Sequence, residues 1–282
     1  MTTVAALLGE ARRRLVDSDS AARDAELLLC HVLGKPRSFL FTWPEQEVDG
    51  AVLAQFQHLL ARRADGEPVA YLLGRREFYG HELLVSADTL IPRPDTERLV
   101  DLVLELAPGQ GEQRVVDLGT GTGAIAIALG LARPHWQILA VDQAVSVLDL
   151  VERNLARLGV RNVTPRQSNW FARLDGDFDV IVSNPPYIRV DDPHLQQGDV
   201  RFEPRSALVA GDDGLDDIRI IIAGAATRLR PGGLLALEHG YDQGVAVRDL
   251  MRTHGFSAVE THRDLGDNER VTVGLCGACD AE

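Results

Sequence analysis

Nowhere do the 282 residues offer the roughly 20 consecutive apolar side chains that a helix needs to cross a bilayer. The longest run, Ala124–Ala132, has nine residues and contains a glycine. No basic region precedes an apolar one at the start, because Arg12, Arg13 and Arg14 follow Leu7 and Leu8. A soluble cytoplasmic protein with no membrane partner is expected. Cysteine is scarce: Cys30 stands alone, and Cys276 and Cys279 lie near the end, too few for a disulfide framework. The last two form a C-x-x-C. A zinc site would want two further ligands at matching spacing, and a redox pair would want a helix start after a strand, so no role is expected for them. The histidines, His81 and His239 among them, show no ligand spacing and no His-Glu-x-x-His occurs, so no metal is expected. Basic charge is short as well, with 29 Lys and Arg against 42 Asp and Glu, a net −13. Residues 1–75 hold nine basic and ten acidic residues, which leaves 20 against 32, or −12, for the rest. A duplex-binding face needs cations to neutralise phosphates, so a nucleic-acid partner is disfavoured.

What is present is an ordinary globular composition, 45% apolar and 25% charged, in a chain long enough for one large or two ordinary domains. Residues 1–75 read as helices joined by short turns. Ser20 stands as an N-cap before Ala25, Leu28, Leu29 and Val32 on one face, closed by Gly34 and Pro36. A second helix carries Val52, Leu53, Phe56, Leu59 and Leu60 and stops at Asp65-Gly66. This small helical domain is a candidate for recognising a protein partner. Residues 76–94 form a linker: Phe78–Val85 reads as a hairpin, and Ile91-Pro92-Arg93-Pro94 as a stiff extended segment that cannot be helical. A helix is expected over Asp95–Leu106, with Asp95 as N-cap and Leu99, Leu102, Val103 and Leu106 facing inward.

Residues 95–282 then alternate strands with helices, the pattern of a mostly parallel doubly wound sheet. Strands are expected at Arg114–Leu118, Gln137–Val141, Asn162–Arg166, Phe178–Ser183, Gly233–Glu238, Ala258–His262 and Arg270–Leu275. Seven such strands ending in a hairpin predict an α/β fold with a Rossmann-like seven-stranded sheet and one antiparallel strand.

The strand Phe178–Ser183 runs into Asn184-Pro185-Pro186-Tyr187. Ligands of open α/β sheets bind beyond the carboxyl ends of the strands. Two successive prolines fix two φ angles and remove two N–H donors, leaving carbonyls free to face a ligand. Such a surface suits a planar NH2 group. The Asn184 oxygen can take one N–H, the Pro185 carbonyl the other, and Tyr187 can offer a ring face. A Pro-rich turn with Tyr187 as a half-buried aromatic is the alternative.

Asp117-Leu118-Gly119-Thr120-Gly121-Thr122-Gly123 ends the first strand of the sheet and opens the helix Ala124–Ala132. Its glycines let the backbone turn sharply and approach a ligand, and Asp142, 25 positions beyond Asp117, stands where a carboxylate can accept from ribose hydroxyls. A nicotinamide site would share both features. A pyrophosphate, however, would be repelled by Asp117, whereas the ammonium and sulfonium of S-adenosyl-L-methionine would be attracted. The alternative for Asp117 is a strand-end carboxylate satisfied by backbone N–H groups.

Taken together, Gly74–Gly80, Leu90–Pro94, Asp117–Ala126, Ser183–Ile188, Val200–Pro204 and Asn268–Thr272 resemble the bacterial peptide-chain release factor glutamine methyltransferases, the PrmC or HemK family, over nearly the whole chain. Asn-Pro-Pro-Tyr alone is shared with adenine and guanine amino-methyltransferases; the Ile-Pro-Arg-Pro and Arg-Phe-Glu-Pro segments and the N-terminal helices narrow it. The resemblance implies methyl transfer from S-adenosyl-L-methionine to the N5 amide of the glutamine in the Gly-Gly-Gln loop of class-one release factors, leaving S-adenosyl-L-homocysteine. It implies that Gly119, Thr120, Gly121, Thr122 and Gly123 hold the methionine part, Asp142 the ribose, Trp170 and Asn169 the adenine side, and Asn184, Pro185, Pro186 and Tyr187 the substrate glutamine. Two departures are visible: Asn169 replaces an acidic residue common before the Trp, and Asp95 stands where Glu is frequent. Glu203 reads either as an orienter or lid residue or as an ion-pair partner of Arg201 or Arg205. A nucleic-acid amino-methyltransferase and a non-enzymatic adenosyl-binding protein remain the rival readings.

Overall fold

The computed structural model describes residues 2–107 and 111–277. The chain divides into two compact units, Met1–Arg75 together with His194–Phe202, and Arg76–Pro193 together with Glu203–Glu282.

The first unit is built from helices α1 (Val4–Arg14), α2 (Ala21–Leu33), α3 (Arg37–Thr42), α4 (Gly50–Ala64) and α5 (Val69–Leu73). Leu7, Leu28, Leu29, Phe56 and Leu60 meet in its core. Real caps stand at Thr3, whose hydroxyl accepts from the Ala6 N–H at 3.3 Å, and at Asp49, whose carboxylate accepts from the Ala51 N–H at 2.8 Å. Ser20 occupies the expected N-cap place but caps nothing; its hydroxyl donates to Asp24 at 2.8 Å. Asp24 in turn accepts from Arg63 at 2.8 Å, and Arg63 also reaches Asp199 at 2.7 Å, so the segment returning at 194–202 is tied in by charge.

The second unit opens with a two-stranded hairpin, β1 (Arg75–Phe78) and β2 (His81–Leu84). It starts three residues earlier than expected, because Tyr79 and Gly80, at φ 51° and 76°, supply the left-handed turn. The linker is not extended to its end. Pro94 has the fixed φ that suits a first helical position, and it opens a 3₁₀ turn over Pro94–Thr96. Asp95 therefore lies inside that turn instead of capping, and α6 runs Glu97–Leu106 with Leu99, Leu102 and Val103 buried and Leu106 exposed.

There follow β3 (Arg114–Leu118), α7 (Ala124–Ala132), β4 (Gln137–Asp142), α8 (Val145–Leu158), β5 (Val163–Gln167), β6 (Phe178–Ser183), α9 (Asp216–Arg228), β7 (Leu229–Glu238), α10 (Gly244–Thr253), β8 (Phe256–Arg263) and β9 (Glu269–Cys276). The seven strands lie in the order β5-β4-β3-β6-β7-β9-β8, and β9 alone runs antiparallel to its neighbours. β7 starts four residues before its predicted beginning, with a register shift against β6. One apolar layer packs α6 and α7 against the sheet through Leu99, Val103, Ile127 and Val115; another packs α9 through Ile218 and Ile222 against Ile181 and Leu235. The chain leaves β3 toward one side of the sheet and β6 toward the other, so the strand order reverses between them. That is where an open sheet forms its crevice. No described helix is long and apolar enough to cross a membrane.

Candidate active site

Leu118 pairs with Ser183 across β3 and β6, so the glycine loop and Asn184 leave the sheet side by side. Beyond them lies a cavity of about 680 Å³. Of the predicted residues, Gly119, Thr120, Gly121, Thr122 and Asp142 line it from the β3–β4 side, Asn169 and Trp170 from the loop after β5, and Asn184 and Pro186 from β6. Asp117, Gly123, Pro185 and Tyr187 stand outside that lining.

Gly119, Gly121 and Gly123 all have positive φ, at 69°, 55° and 82°. Gly119 is required twice over, since a Cβ there would also come within 3.3 Å of the Trp170 ring. Asp142 holds the loop through the Gly121 N–H at 3.3 Å and its own turn through the Ala144 N–H at 3.1 Å; burial raises its carboxyl pKa against these bonds. Trp170 itself has a φ of 46°, uncommon for a bulky residue, and Asp217 also lines the cavity, its carboxyl pKa raised by burial against the pull of the Trp170 indole.

Asp117 does not reach into the cavity as its expected attraction for an ammonium group would require. It is fully buried, and its Oδ2 accepts from the Thr120 hydroxyl at 2.6 Å and the Ala126 N–H at 3.2 Å. Among the described residues its Oδ1 has no partner, and burial pushes the carboxyl up to about 7. The carboxylate braces the loop from behind, close to the alternative reading, with Thr120 as the intermediary.

On the acceptor side, the Asn184 Nδ2 donates to the Thr96 hydroxyl at 3.1 Å, which commits the NH2 end of the amide and leaves Oδ1 as the free end. Among the described residues no backbone N–H bonds the Pro185 carbonyl. Tyr187 is not laid open as a ring face. Its half-buried ring packs against the apolar layer on the α9 side, and its phenol donates to Glu238 Oε1 at 3.3 Å. Its carbonyl accepts from Gln243 Nε2 at 3.0 Å, and a Cβ on Gly214 would come within 2.3 Å of that carbonyl. Glu203 is fully buried and paired, with Arg93 at 2.5 Å and the Ile91 N–H at 3.1 Å, so the ion-pair reading holds with a partner other than Arg201 or Arg205.

Sequence reasoning missed Thr96, Arg93, Asp217 and Glu238. Of these, Glu238 carried a usable signal, a carboxylate at the carboxyl end of a buried parallel strand. Among the described residues no group of three or more His, Cys, Asp and Glu could hold a metal ion. Cys276 lies in β9, and Cys279 lies outside the described residues.

Residues 6–74 match the PrmC N-terminal domain family, and residues 97–197 match the methyltransferase small domain family. A methyltransferase structure from Pyrococcus furiosus shares the fold, with a TM-score of 0.55 at 18% identity over 79% of this chain and 100% of that one. The release factor glutamine methyltransferase of Pseudomonas aeruginosa is 55% identical over 97% of this chain and 99% of its own length. That of Escherichia coli is 52% identical over 95% and 96%. With that identity over nearly the full length of both chains, this protein belongs to the release factor glutamine methyltransferase family.

Proposed function

We propose that this chain transfers the methyl group of S-adenosyl-L-methionine to the side-chain N5 of the glutamine in the Gly-Gly-Gln loop of class-one release factors, in the cytoplasm. The observation that carries the reading is the pairing of Leu118 with Ser183, which sets the glycine loop and the Asn184 acceptor at one cavity. The residues suit the cofactor: an acidic Asp142 for ribose hydroxyls, a tight glycine loop for close backbone approach, and Trp170 as a flat apolar wall. A cavity of about 680 Å³ falls in the usual range for ligand sites.

When bound, the cofactor supplies a methyl on a sulfonium, a leaving group that departs with its electron pair as neutral S-adenosyl-L-homocysteine. The protein's part is orientation. An amide nitrogen is a poor nucleophile because its lone pair is delocalised, and two acceptors that bind its protons more tightly as positive charge grows favour the transition state over the ground state. Asn184 Oδ1 and the Pro185 carbonyl are those acceptors; Tyr187 and Pro186 fix the turn that carries them. The proton lost from nitrogen leaves after transfer. Asn169 accepts from the adenine amino group without charge.

Residues 1–75 recognise the body of the protein substrate in this reading, supported by Phe41 and Trp43, whose side chains are 59% and 58% exposed. The test is incubation with labelled S-adenosyl-L-methionine and separate release factor, DNA and RNA acceptors. Mass spectrometry is expected to place one methyl on the glutamine of the tryptic Gly-Gly-Gln peptide. A methyl on a nucleobase would reject the assignment in favour of a nucleic-acid amino-methyltransferase, which the −12 balance after residue 75 already disfavours.

A further inference from the structure

The Asn184–Tyr187 turn is held at both ends by side chains that stand outside the cavity lining. At its start the Ser183 hydroxyl donates to the Leu118 carbonyl at 2.6 Å. At its end no backbone N–H among the described residues reaches the Tyr187 carbonyl; the donor there is the buried Gln243, whose Nε2 lies at 3.0 Å. The same NH2 faces the carbonyls of Gly214 at 3.3 Å and Asp213 at 3.4 Å, while Gln243 Oε1 accepts from the Gly240 N–H at 2.8 Å. Turned over, the amide would set its oxygen against three carbonyls and its NH2 against an N–H, so one orientation is fixed. A Cβ on Gly214 would come within 2.8 Å of Nε2, so the close approach needs that glycine. Gly240 is anchored in turn: the buried His239 donates to its carbonyl from Nδ1 at 2.8 Å, and His239 Nε2 bonds the Thr272 hydroxyl of β9 at 2.8 Å.

Asn184 and Pro185 each precede a proline, which confines their ψ to the extended range, and the proline rings fix φ at 185 and 186. The loose torsions are therefore ψ of Pro186 and both angles of Tyr187. The stiff stretch before them moves as one piece, and pinning its far end stops it from swinging about Ser183. Resting on the reading of Asn184 and Pro185 as acceptors for the substrate amide, we propose that Gln243 is a positioning residue for methyl transfer. By gripping the Tyr187 carbonyl it holds the Asn184 oxygen and the Pro185 carbonyl where both meet the N–H bonds of one amide. It does so from outside the cavity.

Gln243→Met keeps the length of the side chain and removes its hydrogen bonds. With release factor as substrate, its kcat is expected to fall by about tenfold or more while KM changes by less than about threefold. Calorimetry with S-adenosyl-L-homocysteine should give an affinity within about twofold of the parent. Because Gln243 acts through the acceptors, its loss should matter little once they are broken: Asn184→Ala combined with Gln243→Met should turn over within about threefold of Asn184→Ala alone. Should the methionine variant not fold, Gln243→Asn keeps the amide but shortens it by one methylene, so that it no longer spans Gly240 and Tyr187, and the same pattern is expected of it. Unchanged kcat in either folded variant, or losses that multiply in the double variant, would overturn the role of Gln243. Parallel loss of cofactor-product affinity would also overturn it, by making Gln243 part of the general scaffold. If the unsubstituted enzyme left the release-factor glutamine unmodified, the functional reading itself would fall, and that control separates the two failures.

Discussion

Asp117 and Glu238 are both buried carboxylates near the carboxyl ends of parallel strands, both pushed up to about 7 by burial, and they brace different things. Asp117 grips its own loop: the Thr120 hydroxyl and the Ala126 N–H tie it to the turn and first residues of α7. Glu238 grips a side chain, accepting from the Tyr187 phenol at 3.3 Å. In the proposed reaction the first region binds a cofactor that arrives intact, so a rigid loop of backbone donors suffices. The second must follow charge developing on one nitrogen, which calls for individually aimed acceptors. Binding and transfer should therefore fail separately.

The largest expected effect lies on the transfer side. Asn184→Ala should lower kcat by about a hundredfold or more while S-adenosyl-L-homocysteine still binds, because the amide loses an acceptor and its orientation. Near-normal turnover would remove Asn184 from the chemistry. Next, Asp142→Ala should weaken S-adenosyl-L-homocysteine binding by about 1.5–3 kcal/mol, roughly ten- to a hundredfold in calorimetry, through loss of a charged acceptor. If both variants lost binding equally, the division between the two regions would be wrong.

A gentler pair sharpens the same division. Gly119→Ala and Gly214→Ala both place a side chain at positive φ, 69° and 73°, at a cost of about 1–2 kcal/mol each. The first also crowds Trp170 and should mainly weaken cofactor binding; the second crowds the Tyr187 carbonyl and should mainly lower kcat. Steady-state kinetics beside calorimetry would separate them.

The last effect is on stability against pH. Asp117 rises from an ordinary 3.8 to about 7 on folding, so between those values the folded protein keeps a proton that the unfolded chain has lost. Its contribution to stability is complete below about 4 and is lost as the pH climbs to about 7. Roughly two pKa units, about 2.7 kcal/mol, fall between pH 5 and pH 8, so Asp117→Asn should flatten that decline and narrow the gap in Tm across that window by about 5–10 °C. An unchanged gap would mean that Asp117 stays ionised.

Much of this was legible in the sequence where burial is complete. β3, β6 and α7 fall on the predicted residues because a strand or helix hidden on all sides is an apolar run, and glycine or Asn-Pro-Pro stops it sharply. Ser20 and Asp95 misled because local capping signals were overridden, the first by the Asp24 carboxylate and the second by Pro94 one position earlier. Arg93 and Glu203 lie 110 positions apart, and no local spacing could join them. The cofactor loop is legible because one contiguous segment forms it. The contact behind Asn184 is not, since Thr96 and Asn184 lie 88 positions apart and no local spacing joins them.

That order has a consequence for how the protein is made. β9 lies between β7 and β8 in the sheet yet follows both in the chain, so a nascent or prematurely terminated product reaching only β8 has β7 with a bare edge and β8 with no partner. Unpaired edges invite pairing with other chains, and the part-made enzyme is thus an aggregation hazard until its last described strand emerges.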